Sequence, residues 1–231
     1  MLSRRLFIAA APLALAAPGI LRAQSVFRTF PFALGIASGD PSPDGFVIWT
    51  RLAPDPLEAH GGMPMSPMAV DWEVASDDRF ATIVAKGQVI ARPETAHSVH
   101  VEVSGLQPHR LYWYRFTAGG ERSFAGRART LPLAQAAVER LKFGVVGCQN
   151  FEDGYYGAYN HLAREELDFV FHYGDYIYEY GGSPTRANYF SGSLQVPVRL
   201  HVGQNLYDLA DYRQRYAQTK TDTDLQRAHA A

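Results

Sequence analysis

Two short apolar runs, set about one helix apart, constrain this chain more than any other feature. The first reads Leu141-Lys-Phe-Gly-Val-Val-Gly147 and ends at Cys148-Gln149-Asn150. The second reads Leu167-Asp-Phe-Val-Phe-His-Tyr173 and ends at Gly174-Asp175. Between them Tyr155, Ala158, Tyr159, Leu162 and Ala163 recur at helical spacing, which predicts a helix over residues 155–166. Strand, helix and strand in this order predict a βαβ unit with parallel strands, the second (168–171) apolar enough for a buried position. Ligands bind at the carboxyl ends of parallel strands, so Cys148 and Asp175 are expected to face one crevice.

Composition narrows the rest. The 231 residues carry a formal charge of −1, with no basic block that would favour nucleic acid. A single cysteine excludes an intrachain disulfide framework. No apolar run beyond the N-terminus is long enough to span a bilayer. Residues 1–23 combine a basic start, an Ala/Leu core and small residues before Gln24, the pattern of an export signal. Arg4-Arg5 before Leu6-Phe7-Ile8 is similar to a twin-arginine signal, the alternative being an ordinary secretory signal holding two arginines.

Residues 24–132 are dense in alternating strands. Residues 46–51, 70–74, 83–90, 98–103, 111–116 and 122–129 belong to an expected set of about seven, which suits an all-β immunoglobulin-like sandwich. Pro41 to Gly45 is a turn cluster in which Gly45 is available for positive φ, and residues 53–67 predict an exposed connection. Leu106 and Tyr112 or Tyr114 are similar to the tyrosine corner of fibronectin type III domains. His97, His100 and His109 lack acidic or thiol partners at ligand spacing and are expected on strands or at the surface. Residues 133–140 form a helix-capable linker. Beyond the βαβ unit, residues 181–202 predict a long loop, 206–218 a helix, and 221–224 the start of another. His172 falls inside the second strand, and Tyr173, Tyr176 and Tyr180 read as packing residues.

Asp175 followed by Tyr178 resembles the second motif of metallophosphoesterases. Together with Leu34 to Pro41, Gly147-Cys148-Gln149-Asn150, Asp153-Gly154-Tyr155-Tyr156 and Asp211 to Tyr216, it resembles PhoD-like alkaline phosphatases and phosphodiesterases over nearly the whole chain. The resemblance implies a fibronectin III-like sandwich (24–132) followed by the first part of an α/β metallophosphoesterase domain (133–231). It implies Fe(III) held by Cys148 and Tyr178, Asp175 bridging iron to Ca2+, and Asn150 near the site. It also implies twin-arginine export of a monomer to the periplasm or medium, with no stable membrane or nucleic-acid partner, and hydrolysis of phosphate mono- or diesters. Arg213 and Arg215 match the family pattern but read as surface ion-pairing residues. Residues 226–231 fall short of the family's later Asn, Asp and His ligands, so the chain reads as an N-terminal fragment, inactive alone, with an open sheet edge and exposed apolar surface. A non-catalytic exported module, binding a partner through its sandwich, is the alternative.

Overall fold

The computed structural model describes residues 26–187 and 194–231. Residues 1–23, which carry the export-signal reading, lie outside the described residues. The first eight strands are β1 (Ile36–Ser42), β2 (Gly45–Arg51), β3 (Met68–Ala75), β4 (Ile83–Ala91), β5 (Ser98–Val103), β6 (Leu111–Ala118), β7 (Glu121–Arg122) and β8 (Gly126–Arg129). They form two antiparallel sheets, β1-β2-β5 and β4-β3-β6 with β7 and β8 on β6. The period-two pattern explains the layering. Phe46, Ile48, Val99, Val101 and Val103 from one sheet, and Val70, Val74, Tyr112, Tyr114 and Phe116 from the other, share one buried core. Each such side chain contributes about 1.5–3 kcal/mol by leaving water.

Sequence reading missed β1 and merged β7 with β8. Gly45 is needed for close approach rather than for positive φ: a Cβ there would lie 2.0 Å from the Val103 carbonyl oxygen. The connection at 53–67 is only partly exposed, since Met63 is buried in the core. His97 is fully buried in the turn ahead of β5, its Nε2 3.0 Å from the Ser66 carbonyl oxygen, so it lies neither on a strand nor at the surface as expected. His100 and His109 are exposed, as expected.

The tyrosine corner forms at Tyr112, whose hydroxyl accepts from Gln107 N–H at 2.9 Å beside buried Leu106. The Thr130 hydroxyl donates to the Gln107 carbonyl at 2.7 Å and fixes the same corner from the last strand.

Residues 133–140 are not helical but an exposed irregular connection. Next come β9 (Phe143–Val146), α1 (Gly157–Leu162) and β10 (Phe169–His172), with β9 and β10 paired in parallel from Phe143↔Phe169 to Val146↔His172. Helix α1 is shorter than its apolar spacing suggested, because the segment before it is spent on loop contacts: the Tyr156 hydroxyl donates to the Gln149 carbonyl at 2.8 Å. Asp168 lies outside β10 and clamps the start of the pair, accepting from Lys142 N–H at 2.8 Å. The pair is not buried. Phe143, Val145 and Phe171 are each at least half exposed among the described residues.

The described residues of the 181–202 stretch are mostly irregular, apart from the two-residue strands β11 (Arg186–Ala187) and β12 (Leu194–Gln195), and residues 188–193 of the expected loop lie outside the described residues. Helix α2 (Leu209–Lys220) starts later than expected because Asp208 caps it, exchanging bonds with Asp211 in a capping box. Helix α3 (Thr223–Ala230) is capped by Asp222. Among the described residues, no helix is long and apolar enough to cross a membrane.

The two halves are packed together by α2 and α3. Gln226 Nε2 donates to the Ala33 carbonyl at 2.9 Å, and Arg51 Nη1 to the Arg213 carbonyl at 3.3 Å. Lys220 is buried 4.4 Å from the Trp49 ring centroid and 2.8 Å from His229 Nδ1.

Two outcomes follow from these contacts. Tyr112→Phe should lower the stability of the chain by about 1–2 kcal/mol in urea unfolding, because Gln107 N–H loses its partner. Burial lowers the Lys220 ammonium from 10.5 to about 7. Between those values the unfolded chain binds more protons than the fold, so stability should rise as pH increases from 7 toward 10. Unfolding of Lys220→Met across the same pH range should lack that rise.

Candidate functional site

The site is assembled where β9 and β10 end. Cys148 N–H donates to the Gly174 carbonyl at 3.0 Å, and Gln149 N–H donates to the Asp175 carbonyl at 3.1 Å. These two bonds continue the parallel pairing one step past the strands. They also require Cys148 and Asp175 to adopt φ of +52° and +56°, in the left-handed region. Turning the backbone this way brings both side chains to the same edge. Cys148 Sγ lies 3.3 Å from Asp175 Oδ2, and the Tyr178 hydroxyl donates to the same oxygen at 3.1 Å. Thiol, carboxylate and phenol thus converge on one exposed point, as the sequence spacing predicted for Cys148 and Asp175. Asn150 lies in the same loop, its N–H donating to the Cys148 carbonyl at 3.1 Å while its Oδ1 accepts from Glu152 N–H at 3.0 Å and serves the local turn.

The electrostatics of the cluster follow from its two acids. Burial first, then the hydrogen bond to Asp175 and the negative charge there, push the Tyr178 phenol above its ordinary value. Tyr173, read from sequence as packing, is exposed and lies against Cys148, whose hydrogen bond and charge push its phenol up as well. Gly147 makes room for this ring: a Cβ there would lie 2.5 Å from it.

Beneath the cluster Phe151, Tyr156, Tyr159 and Leu225 form a second buried core with Tyr176 packed against it. His172 is half-buried at the end of β10 and 5.3 Å, ring to ring, from Tyr176, so it supports the site from below.

Two residues that hold the site together were not recognised in the sequence. Gln149 is buried between the two loops, and its side chain donates to the Tyr176 carbonyl at 3.0 Å. Arg215, expected at the surface, is 1% exposed. Its guanidinium donates to the carbonyls of Tyr178 and Tyr180 and, more distantly, to those of Val202 and Gln204. It therefore pins the segment carrying Tyr178 against the 202–204 loop. Glu152, also buried, accepts from His201 N–H at 3.0 Å and orders the same loop. Arg213 is half-buried and donates to the Glu94 carbonyl, and among the described residues it too makes no ion pair. The run of buried polar residues on α2, from Arg215 through Gln218 to Lys220, lacks the apolar stripe that would have revealed a buried face.

The description of the PhoD-like phosphatase N-terminal domain matches residues 17–132, and that of the PhoD-like phosphatase itself matches residues 143–231. The chain belongs to the PhoD-like phosphatase family. It is 51% identical over 205 residues to alkaline phosphatase D of Bacillus subtilis (strain 168), a match covering 89% of this chain and 34% of that protein. A solved structure of PhoD superposes with a TM-score of 0.83 at 50% identity, over 89% of this chain and 38% of that one. The chain thus spans about one third of the length of its curated relative. Among the described residues, no group of three or more His, Cys, Asp and Glu converges as a metal site. Cys148, Asp175 and Tyr178 form the thiol, carboxylate and phenol cluster of this PhoD-like chain.

Arg215→Met should cost about 3 kcal/mol of stability, since carbonyls on both loops lose a charged donor. Limited proteolysis should then cut the variant faster than the wild type beside Tyr178–Tyr180 and Val202–Gln204, the segments that Arg215 holds.

Proposed function

We propose that this chain carries part of the site of an exported, metal-dependent phosphoester hydrolase. Cys148 and Tyr178 would hold Fe(III), and Asp175 would bridge it to Ca2+. The observation that carries the reading is the meeting of a thiol and a phenol on one carboxylate oxygen, at 3.3 and 3.1 Å, at the ends of two parallel strands. The donors suit those ions. Thiolate and phenolate oxygen or sulfur are strong donors to trivalent iron, and a carboxylate has two oxygens to share between two cations. Membership of the PhoD-like family, with its alkaline phosphatase relative, supports the substrate class, phosphate mono- or diesters.

On this reading the two halves are a fibronectin III-like sandwich (24–132) and the opening of an α/β metallophosphoesterase domain (133–231). The twin-arginine pattern of residues 1–23 supports export of a monomer to the periplasm or medium through that translocase.

When bound, the ions would supply Lewis acidity toward the phosphate and toward an attacking water. The work of the chain is to present donors. Asp175 Oδ2 accepts a hydrogen bond from the Tyr178 hydroxyl and so keeps the phenol oriented toward the cluster. Cys148 is exposed and can lose its proton to solvent on ligation. Arg215 holds the Tyr178 and Tyr180 backbone, which limits where the phenol can reach.

The test uses the whole gene product. Wild type should bind iron and hydrolyse an aryl phosphate monoester or diester. Cys148→Ala and Tyr178→Phe should each lose bound iron, measured by elemental analysis, and at least a hundredfold in activity. Undiminished iron in both variants would overturn the assignment.

A further inference from the structure

Gln149 stands between the two loops that carry the donors, and each of its polar groups is engaged. Its backbone N–H donates to the Asp175 carbonyl at 3.1 Å, and its carbonyl accepts from the Tyr156 hydroxyl at 2.8 Å. The side-chain Nε2 donates to the Tyr176 carbonyl at 3.0 Å. The side-chain Oε1 accepts from the Tyr159 hydroxyl and lies 3.3 Å from His172 Nε2.

The directions of these bonds are mutually consistent. His172 Nδ1 accepts from Gly174 N–H at 3.2 Å, which places the ring proton on Nε2, where it can only donate. Oε1 therefore faces two donors and Nε2 faces an acceptor, so the carboxamide fits in one orientation and not in its flipped form. A buried amide satisfied on both ends resists displacement, because moving it leaves several groups unpaired. It is joined to the loop after β9 by its own backbone, to the loop after β10 through Tyr176 and Asp175, and to α1 through Tyr159.

We propose that Gln149 is a positioning residue, a carboxamide bolt that sets the separation of Cys148 and Asp175 and so the geometry offered to the metal. The proposal rests on the reading of those residues as ligands, and its test separates the two. Gln149→Met keeps the side chain's length and burial but removes both polar ends.

In the metal-free protein, Gln149→Met should react several-fold faster at Cys148 with a thiol reagent, because the 3.3 Å contact to Asp175 loosens. In the full-length protein loaded with Fe(III), it should bind iron about tenfold to a hundredfold more weakly. The visible charge-transfer band should shift, and the melting temperature should fall by only a few degrees. Wild-type iron affinity, band position and thiol reactivity in Gln149→Met would overturn the bolt, while iron loss in Cys148→Ala would leave the ligand assignment standing. Retention of iron in Cys148→Ala removes the ligand assignment and the bolt together. If Gln149→Met does not fold, Tyr159→Phe removes one donor to Oε1 and leaves Gln149 in place. A smaller shift in the same direction then supports the proposal, and an unshifted band and affinity overturn it.

Discussion

The pair of backbone hydrogen bonds from Cys148 and Gln149 to Gly174 and Asp175 is the constraint on which the site depends. Inside the strands, parallel pairing aligns Phe143 to Val146 with Phe169 to His172. Past the strands nothing in a ladder demands that two loops stay together, and loops ordinarily diverge. Here they remain in register for two more residues, and the side chains emerging from that short extension are the thiol and the carboxylate. Everything beneath serves that register: the Tyr156 and Tyr159 hydroxyls grip Gln149 from the α1 side, and Arg215 grips the Tyr178 segment from α2.

The N-terminal sheets contribute through α2 and α3 rather than by direct contact with the donors. Arg51 on β2 reaches the backbone of α2, and Gln226 on α3 reaches the Ala33 carbonyl ahead of β1. The buried Lys220 lies between Trp49 of β2 and His229 of α3, with burial and the lysine charge holding the imidazole well below its usual range. The sheets are thus in direct hydrogen-bonded contact with the helix that anchors Tyr178.

What could be read from sequence was what a period or a spacing encodes. The alternation of Ser98 to Val103 and of Leu111 to Phe116 fixed strands and their inward faces, and turn chemistry placed the corner at Leu106, leaving the choice between Tyr112 and Tyr114 to packing. The ends of β9 and β10 located Cys148 and Asp175 because a strand's carboxyl end is a position in sequence as well as in space. Burial of polar groups has no such signature. Arg215, Gln149 and His97 are polar residues held by carbonyls from distant segments, so only the assembled fold says where they point. The same holds for exposure: Val145 and Phe171 have the composition of an interior strand, yet face solvent among the described residues.

Cys148 and Asp175 occupy a backbone conformation that glycine adopts freely and that costs most other residues about 1–2 kcal/mol. Asp tolerates it better than Cys does, through its short polar side chain. Drift toward greater stability would favour glycine at both positions and would erase the thiol and the carboxylate. Retention of a thiol and a carboxylate there places the site among features that stability alone would remove, so variants recovered from a screen for thermal tolerance are the ones to inspect first for loss of chemistry.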